Sequence, residues 1–122
     1  MILVDSNIII YHLNGVAQAT RFLHEHRGHM CICMITVAEV LSFAPNAQAL
    51  AMTEKMLHEQ FTWIEISREI ILKSAELRRE KKIKLPNAII GATAVCHQLK
   101  LASRNHKDFE HLPITLINPI DE

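Results

Sequence analysis

Four polar side chains in this sequence stand at the margins of apolar runs, and three of them are acids. Asp5 closes the run Met1-Ile2-Leu3-Val4, Glu39 follows the run from Met30 to Ile35, and Asp108 comes shortly after Leu101-Ala102-Ser103. The fourth, Asn87, opens a nearly all-apolar segment with the shape of a carboxylate and none of its charge. In an open α/β sheet the strand-to-helix junctions share one edge, where ligands bind at the topological switch point. Carboxylates gathered on that edge repel one another, and a hard divalent cation with oxygen ligands relieves the repulsion. Mg²⁺ or Mn²⁺ suits such a set, whereas the sequence offers no thiolate or paired-histidine spacing for zinc.

Each position also has a purely structural explanation. Thr36 and Glu39 have the Thr-x-x-Glu spacing of a capping box, in which the acid turns back to the helix start. Asp5 can cap the helix after the first strand through its carboxylate. Asn105 can cap a short helix with Asp108 in its first turn, where an acid suits the helix dipole. Asn87 can be an ordinary polar residue in a first helical turn. These readings work one at a time and weaken together, because three acids fall at equivalent junctions.

The elements that must position them alternate. Ile2 to Asp5 reads as a strand, and Val16, Ala19, Phe22 and Leu23 mark an amphipathic helix over 16–27 that Gly28 ends. Met30 to Met34 is a second buried strand, after which Thr36 opens a helix punctuated by Pro45-Asn46. Residues 47–60 form another helix, Thr62 to Ile66 a third strand, and Ser67 caps a helix running to about Lys82. Pro86 suits a first helical turn, and the apolar segment from Ala88 to Leu99 reads as a central buried helix. Leu101 to Ser103 is a short strand, Asn105 to His111 a turn or two of helix, and Ile114 to Ile117 a last strand. Strands alternating with helices imply an α/β fold with a mostly parallel sheet covered on both faces.

At 122 residues with 49% hydrophobic content, the chain is expected to be one domain over 1–122 with a real core. Met1 to Val4 is too short for a signal peptide, and no run is long enough for a membrane helix, so a soluble cytoplasmic protein is expected. Three cysteines cannot pair evenly; Cys31 and Cys33 share one face of a strand and read as reduced core residues. His24, His26 and His29 read as a solvated helix end, because positions 24 and 26 point about 200° apart on a helix. The net charge is zero, so affinity for nucleic acid must come from local patches.

The segments ILVDSN (2–7), ITVAEVL (35–41), LPNAIIGATAV (85–95) and ASRNHKDFEHL (102–112) resemble, in order and spacing, the PIN-domain ribonucleases. Among these the likeness is greatest to the VapC-type toxins of bacterial type II toxin–antitoxin pairs. It spans nearly the whole chain and is least distinctive between Pro45 and Lys82. The resemblance implies a PIN-like fold with a five-stranded, mostly parallel sheet flanked by helices. It also implies a Mg²⁺- or Mn²⁺-dependent endoribonuclease, a hydrolase that forms a homodimer and is neutralised by a cognate antitoxin plugging the site.

Carried over by position, Asp5, Glu39, Asn87 and Asp108 are the catalytic and metal-holding residues the resemblance implies, with Asn7 and Asn105 in support. Asn87 departs from the pattern, which has Asp in Leu-Pro-Asp-Ala. The change keeps the shape and removes one charge; natural decay and an engineered substitution both produce it, and either weakens the site. For the RNA substrate, Arg78, Lys82, Arg104 and Lys107 are the expected phosphate contacts, from the basic stretch before Asn87 and the flanks of Asn105. A second reading keeps the fold without the catalysis, as an RNA- or antitoxin-binding module. A dehalogenase-type phosphatase would want Asp where Asn7 stands, and a phospho-receiver would want an Asp after the third strand, where Thr62 to Ser67 has none.

Overall fold

The structure, a computed structural model, describes residues 1–121. Among these residues five short strands carry the frame: β1 (Ile2–Val4), β2 (Met30–Cys33), β3 (Thr62–Ile64), β4 (Lys100–Ala102) and β5 (Leu116–Ile117). Their order is β3-β2-β1-β4-β5, and every pairing is parallel, so the expected mostly parallel sheet is wholly so. β1 is central, and the chain winds outward from it first on one side and then on the other. The switch point therefore lies beyond Val4, flanked by the ends of β2 and β4.

Among the described residues seven helices cover the sheet: α1 (Ser6–Leu13), α2 (Ala17–Glu25), α3 (Met34–Leu41), α4 (Ala47–Gln60), α5 (Arg68–Glu80), α6 (Leu85–His97) and α7 (His106–Phe109). Alternation along the strands divides the core into two layers. Ile2, Val4, Met30, Ile32 and Ala102 face one layer with Ile8, Ile9, Phe22 and Leu57. Leu3, Cys31, Cys33 and Leu101 face the other with Ile70, Leu77, Ile90 and Phe109. Fully burying a side chain such as Ile8 or Leu57 contributes about 1.5–3 kcal/mol. Cys31 and Cys33 lie on one face as free, buried thiols, and burial pushes the Cys31 thiol up to about 11. No helix among the described residues is long and apolar enough to cross a membrane.

α6 is buried continuously from Ala88 to Ala94, which explains its apolar character on all sides. Gly91 lets it approach its neighbour closely: a Cβ there would stand 2.9 Å from Leu112 Cδ1 and 3.5 Å from the Phe109 ring. That approach seats α7, and Asp108 with it, beside the first turn of α6.

Several boundaries differ from expectation. β2 runs directly into α3, with Cys33 as a backbone-only cap, so Thr36 lies inside the helix instead of opening it. The Thr36–Glu39 capping box does not form, and Thr36 Oγ1 is the one buried side-chain polar atom without a partner among the described residues. α2 stops at Glu25 with His26 as its C-cap, and Gly28, at φ +86°, serves the turn beyond. β3 ends at Ile64 instead of Ile66, opposite Cys33, where its partner β2 ends. β4 spans Lys100–Ala102, which leaves Ser103 just past the strand end. Asn46, Ser67 and Asn105 cap their helices through side-chain oxygens.

Candidate active site

Asp5 leaves β1 at the switch point and caps α1, and its backbone N–H donates to Ala102 O at 2.9 Å. It is 3% exposed, a rare degree of burial for a carboxylate. Oδ1 accepts from Ser6 N at 2.7 Å and lies 3.2 Å from Ser6 Oγ; Oδ2 accepts from Ser103 Oγ at 2.7 Å and Asn7 Nδ2 at 3.3 Å. Burial holds its carboxyl above the ordinary value of 3.8, and the nearby Glu39 charge adds to the effect. The hydrogen bonds from Ser103 and Ser6 pull the other way.

Glu39, on the second turn of α3, reaches the same point from β2's side. Its Oε1 accepts from Ser6 Oγ at 2.8 Å. One hydroxyl therefore stands 3.2 Å from Asp5 Oδ1 and 2.8 Å from Glu39 Oε1, which bounds the separation of those oxygens at 6.0 Å. Ser6 has a single hydroxyl proton, so it satisfies one carboxylate at a time.

Asn87 and Asp108 form a second pair. Asn87 Nδ2 donates to Asp108 Oδ2 at 2.7 Å, and Asn105 Nδ2 donates to the same oxygen at 3.0 Å. Asn105 joins the pairs: its backbone N–H donates to Ser103 Oγ at 2.9 Å, and that hydroxyl donates to Asp5. The four positions thus gather around Ser103 and Asn105 as two linked pairs. Among the described residues, no three histidine, cysteine, aspartate or glutamate side chains converge as a metal cage. The donor set still fits a hard cation on the Asp5–Glu39 side, where two carboxylate oxygens share one proton.

Asp5 and Asn105 do act as caps, and both also reach across the fold, so capping and site-building are compatible at these positions. Ser6 and Ser103, which have no motif signal of their own in the sequence, are the hinges of the arrangement. Asn7 supports Asp5 and also accepts from the Arg104 backbone N–H at 3.3 Å.

The basic residues divide. Arg104 adjoins the site through its backbone, while its side chain turns to Asp121, with Nε–Oδ2 at 3.1 Å and Nη2–Oδ1 at 3.2 Å, and to Tyr11 Oη at 3.0 Å. The Tyr11 hydroxyl and Asp121 both favour its charged form, and Asp121 is held below its usual range by Asn118 and Arg104. Arg78 Nε is tied to Ile83 O at 3.1 Å, where it braces the α5–α6 connection. Lys82 and Lys107 are exposed, and Lys81 donates to the Lys107 carbonyl. A surface hollow of about 750 Å³ lies elsewhere, among Val95, Gln98, Leu99, Lys100 and residues 112–115, with Lys100 as its ionisable lining side chain.

An open parallel sheet with paired acidic positions at its switch point matches a known family. Residues 2–114 fit the PIN domain model, and the chain belongs to that family. A toxin–antitoxin complex from Klebsiella pneumoniae contains a chain 38% identical to this one, with 98% of each chain covered and a TM-score of 0.87. FitAcB from Neisseria gonorrhoeae is 22% identical with 100% of both chains covered and a TM-score of 0.82. VapBC2 from Rickettsia felis, bound to a promoter DNA fragment, is 21% identical over 97% of this chain and 98% of that one, at a TM-score of 0.81. These neighbours agree with the VapC-type likeness of the sequence motifs. A comparison with curated proteins finds no match.

Proposed function

We propose that this chain is a single-domain, divalent-metal-dependent endoribonuclease of the toxin–antitoxin kind, weakened by Asn87. The observation that carries the reading is the Ser6 hydroxyl within bonding distance of both Asp5 and Glu39, which reach it from different strand ends. Asp5 and Glu39 would hold the ion, and positions 87 and 108 complete the set in the family pattern. Bound there, Mg²⁺ or Mn²⁺ would supply an activated water and offset charge on the attacked phosphate and leaving oxygen. Ser6, Asn7 and Ser103 fix both oxygens of Asp5 so that its geometry is set before substrate arrives. Arg104, Lys107, Arg78 and Lys82 are the phosphate contacts, and they position RNA without reading its sequence.

Removing one unit charge at about 4 Å weakens attraction by roughly 4 kcal/mol per metal charge at an effective dielectric near 20. Relaxation and water reduce this, so a loss of about several hundred-fold in rate is the expected scale. The chain acts in the cytoplasm as a homodimer and binds a cognate antitoxin. Exposed apolar side chains such as Phe43, Met52 and Leu72 support the protein partners.

A second reading, a binding module without catalysis, is favoured by the Asn87–Asp108 hydrogen bond, which satisfies Asp108 Oδ2 internally. Incubating RNA with Asn87→Asp and Mg²⁺ or Mn²⁺ separates the two. The nuclease reading expects cleavage about several hundred-fold above this chain, abolished by EDTA. RNA binding without cleavage by that variant would favour the module.

A further inference from the structure

The Asn87 amide can face Asp108 in only one sense. Its nitrogen lies 2.7 Å from Asp108 Oδ2; an amide oxygen there would set two acceptors against each other with no proton between them. Asn105 Nδ2 donates to the same carboxylate oxygen at 3.0 Å, and the Asp108 backbone N–H returns a bond to Asn105 Oδ1 at 3.3 Å. Asp108 therefore has two amide donors fixed on one oxygen by residues of α6 and the α7 cap. At the Asp5–Glu39 pair the balance is reversed, because two carboxylate oxygens compete for the one proton of Ser6.

We propose that Asn87 is a resident substitute for a cation: its amide satisfies Asp108, closes that half of the site without metal, and confines divalent binding to one ion at Asp5 and Glu39. This rests on the nuclease reading for the identity of the site, yet it concerns occupancy and stability, not turnover. A carboxylate at position 87 would replace the donor with a like charge at the same contact. The fold would then depend on metal in a way that this chain does not.

The test uses the full chain, with Mn²⁺ as the probe, measuring stoichiometry by titration and thermal unfolding in EDTA and in Mn²⁺. This chain should bind one Mn²⁺, with affinity lost at least tenfold in Asp5→Asn and changed less than threefold in Asp108→Asn. Asn87→Asp should melt several degrees below this chain in EDTA, recover in Mn²⁺, and bind a second ion. Should Asn87→Asp fail to fold without metal, adding Asp108→Asn must restore folding, because it removes the repulsion. Two ions on this chain, no Mn²⁺ bound at millimolar concentration, a tenfold loss in Asp108→Asn, or an unchanged Asn87→Asp melting point in EDTA would each overturn the proposal. If Asn87→Asp behaves as expected in melting and stoichiometry but cleaves no RNA, the nuclease reading fails and the amide substitution stands.

Discussion

Ser103 and Asp5 are 98 residues apart in the chain, yet the Ser103 hydroxyl donates to Asp5 Oδ2 at 2.7 Å. The contact follows from the sheet. β4 pairs with β1 in parallel, Val4 opposite Ala102, so the residues just past each strand end meet at the same edge. Ser103 is fully buried and also accepts from Asn105, so one hydroxyl fixes both the first acid and the cap that presents Asp108.

Ser103→Ala should destabilise the protein by about 1.5–3 kcal/mol, the usual range for a hydrogen bond to a charged group. Denaturant unfolding at neutral pH measures this. A change under about 0.5 kcal/mol, the scale of an ordinary surface substitution, would show that the bond is not holding the site.

Asp5 makes stability depend on pH in a definite direction. Its carboxyl titrates above 3.8 in the folded protein, chiefly because burial penalises the charge. The folded state therefore binds more protons than the unfolded state between 3.8 and the raised value, and stability falls as pH rises through that window. Metal-free Asp5→Asn should accordingly be more stable than this chain at neutral pH, with the gap closing as pH drops below 3.8. Parallel unfolding curves in EDTA test this. A variant less stable than this chain at neutral pH would mean that the bonds to Asp5 outweigh its desolvation.

How much of this was legible beforehand depends on the kind of signal each residue carries. The strand–helix alternation and the four positions beyond the apolar runs were readable, because burial imposes periodicity and junctions interrupt it. Ser6 and Ser103 carry no such signal: a small hydroxyl has no periodic signature, and its value lies in contacts across 33 and 98 residues. The Thr36–Glu39 spacing suggested a capping box that does not form, because Cys33 starts α3 three residues earlier. Arg78, an expected RNA contact, also donates its Nε to the Ile83 carbonyl, a local bond that charge patterning does not reveal.

Arg104 offers a test of the RNA contacts. Its fork is occupied by Asp121, which Asn118 holds in place with a 2.9 Å bond. A phosphate seeking the same bidentate geometry must displace that carboxylate. Asp121→Asn should therefore tighten RNA binding by about threefold or more at low salt, with the gain shrinking as salt screens the contact. Arg104→Ala should weaken binding, and Asp121→Asn added to it should restore nothing. Equal RNA affinity in all three variants would remove Arg104 from the substrate path.

The most direct measurement is anomalous diffraction from crystals of this chain soaked in Mn²⁺. One peak is expected within roughly 2.5 Å of carboxylate oxygens of both Asp5 and Glu39, beside the Ser6 hydroxyl, at the distances hard cations adopt. No second peak is expected between Asn87 and Asp108. An absence of density at Asp5 and Glu39 under millimolar Mn²⁺, or a peak held only by Asp108, would contradict this expectation, and the acids would return to being helix caps.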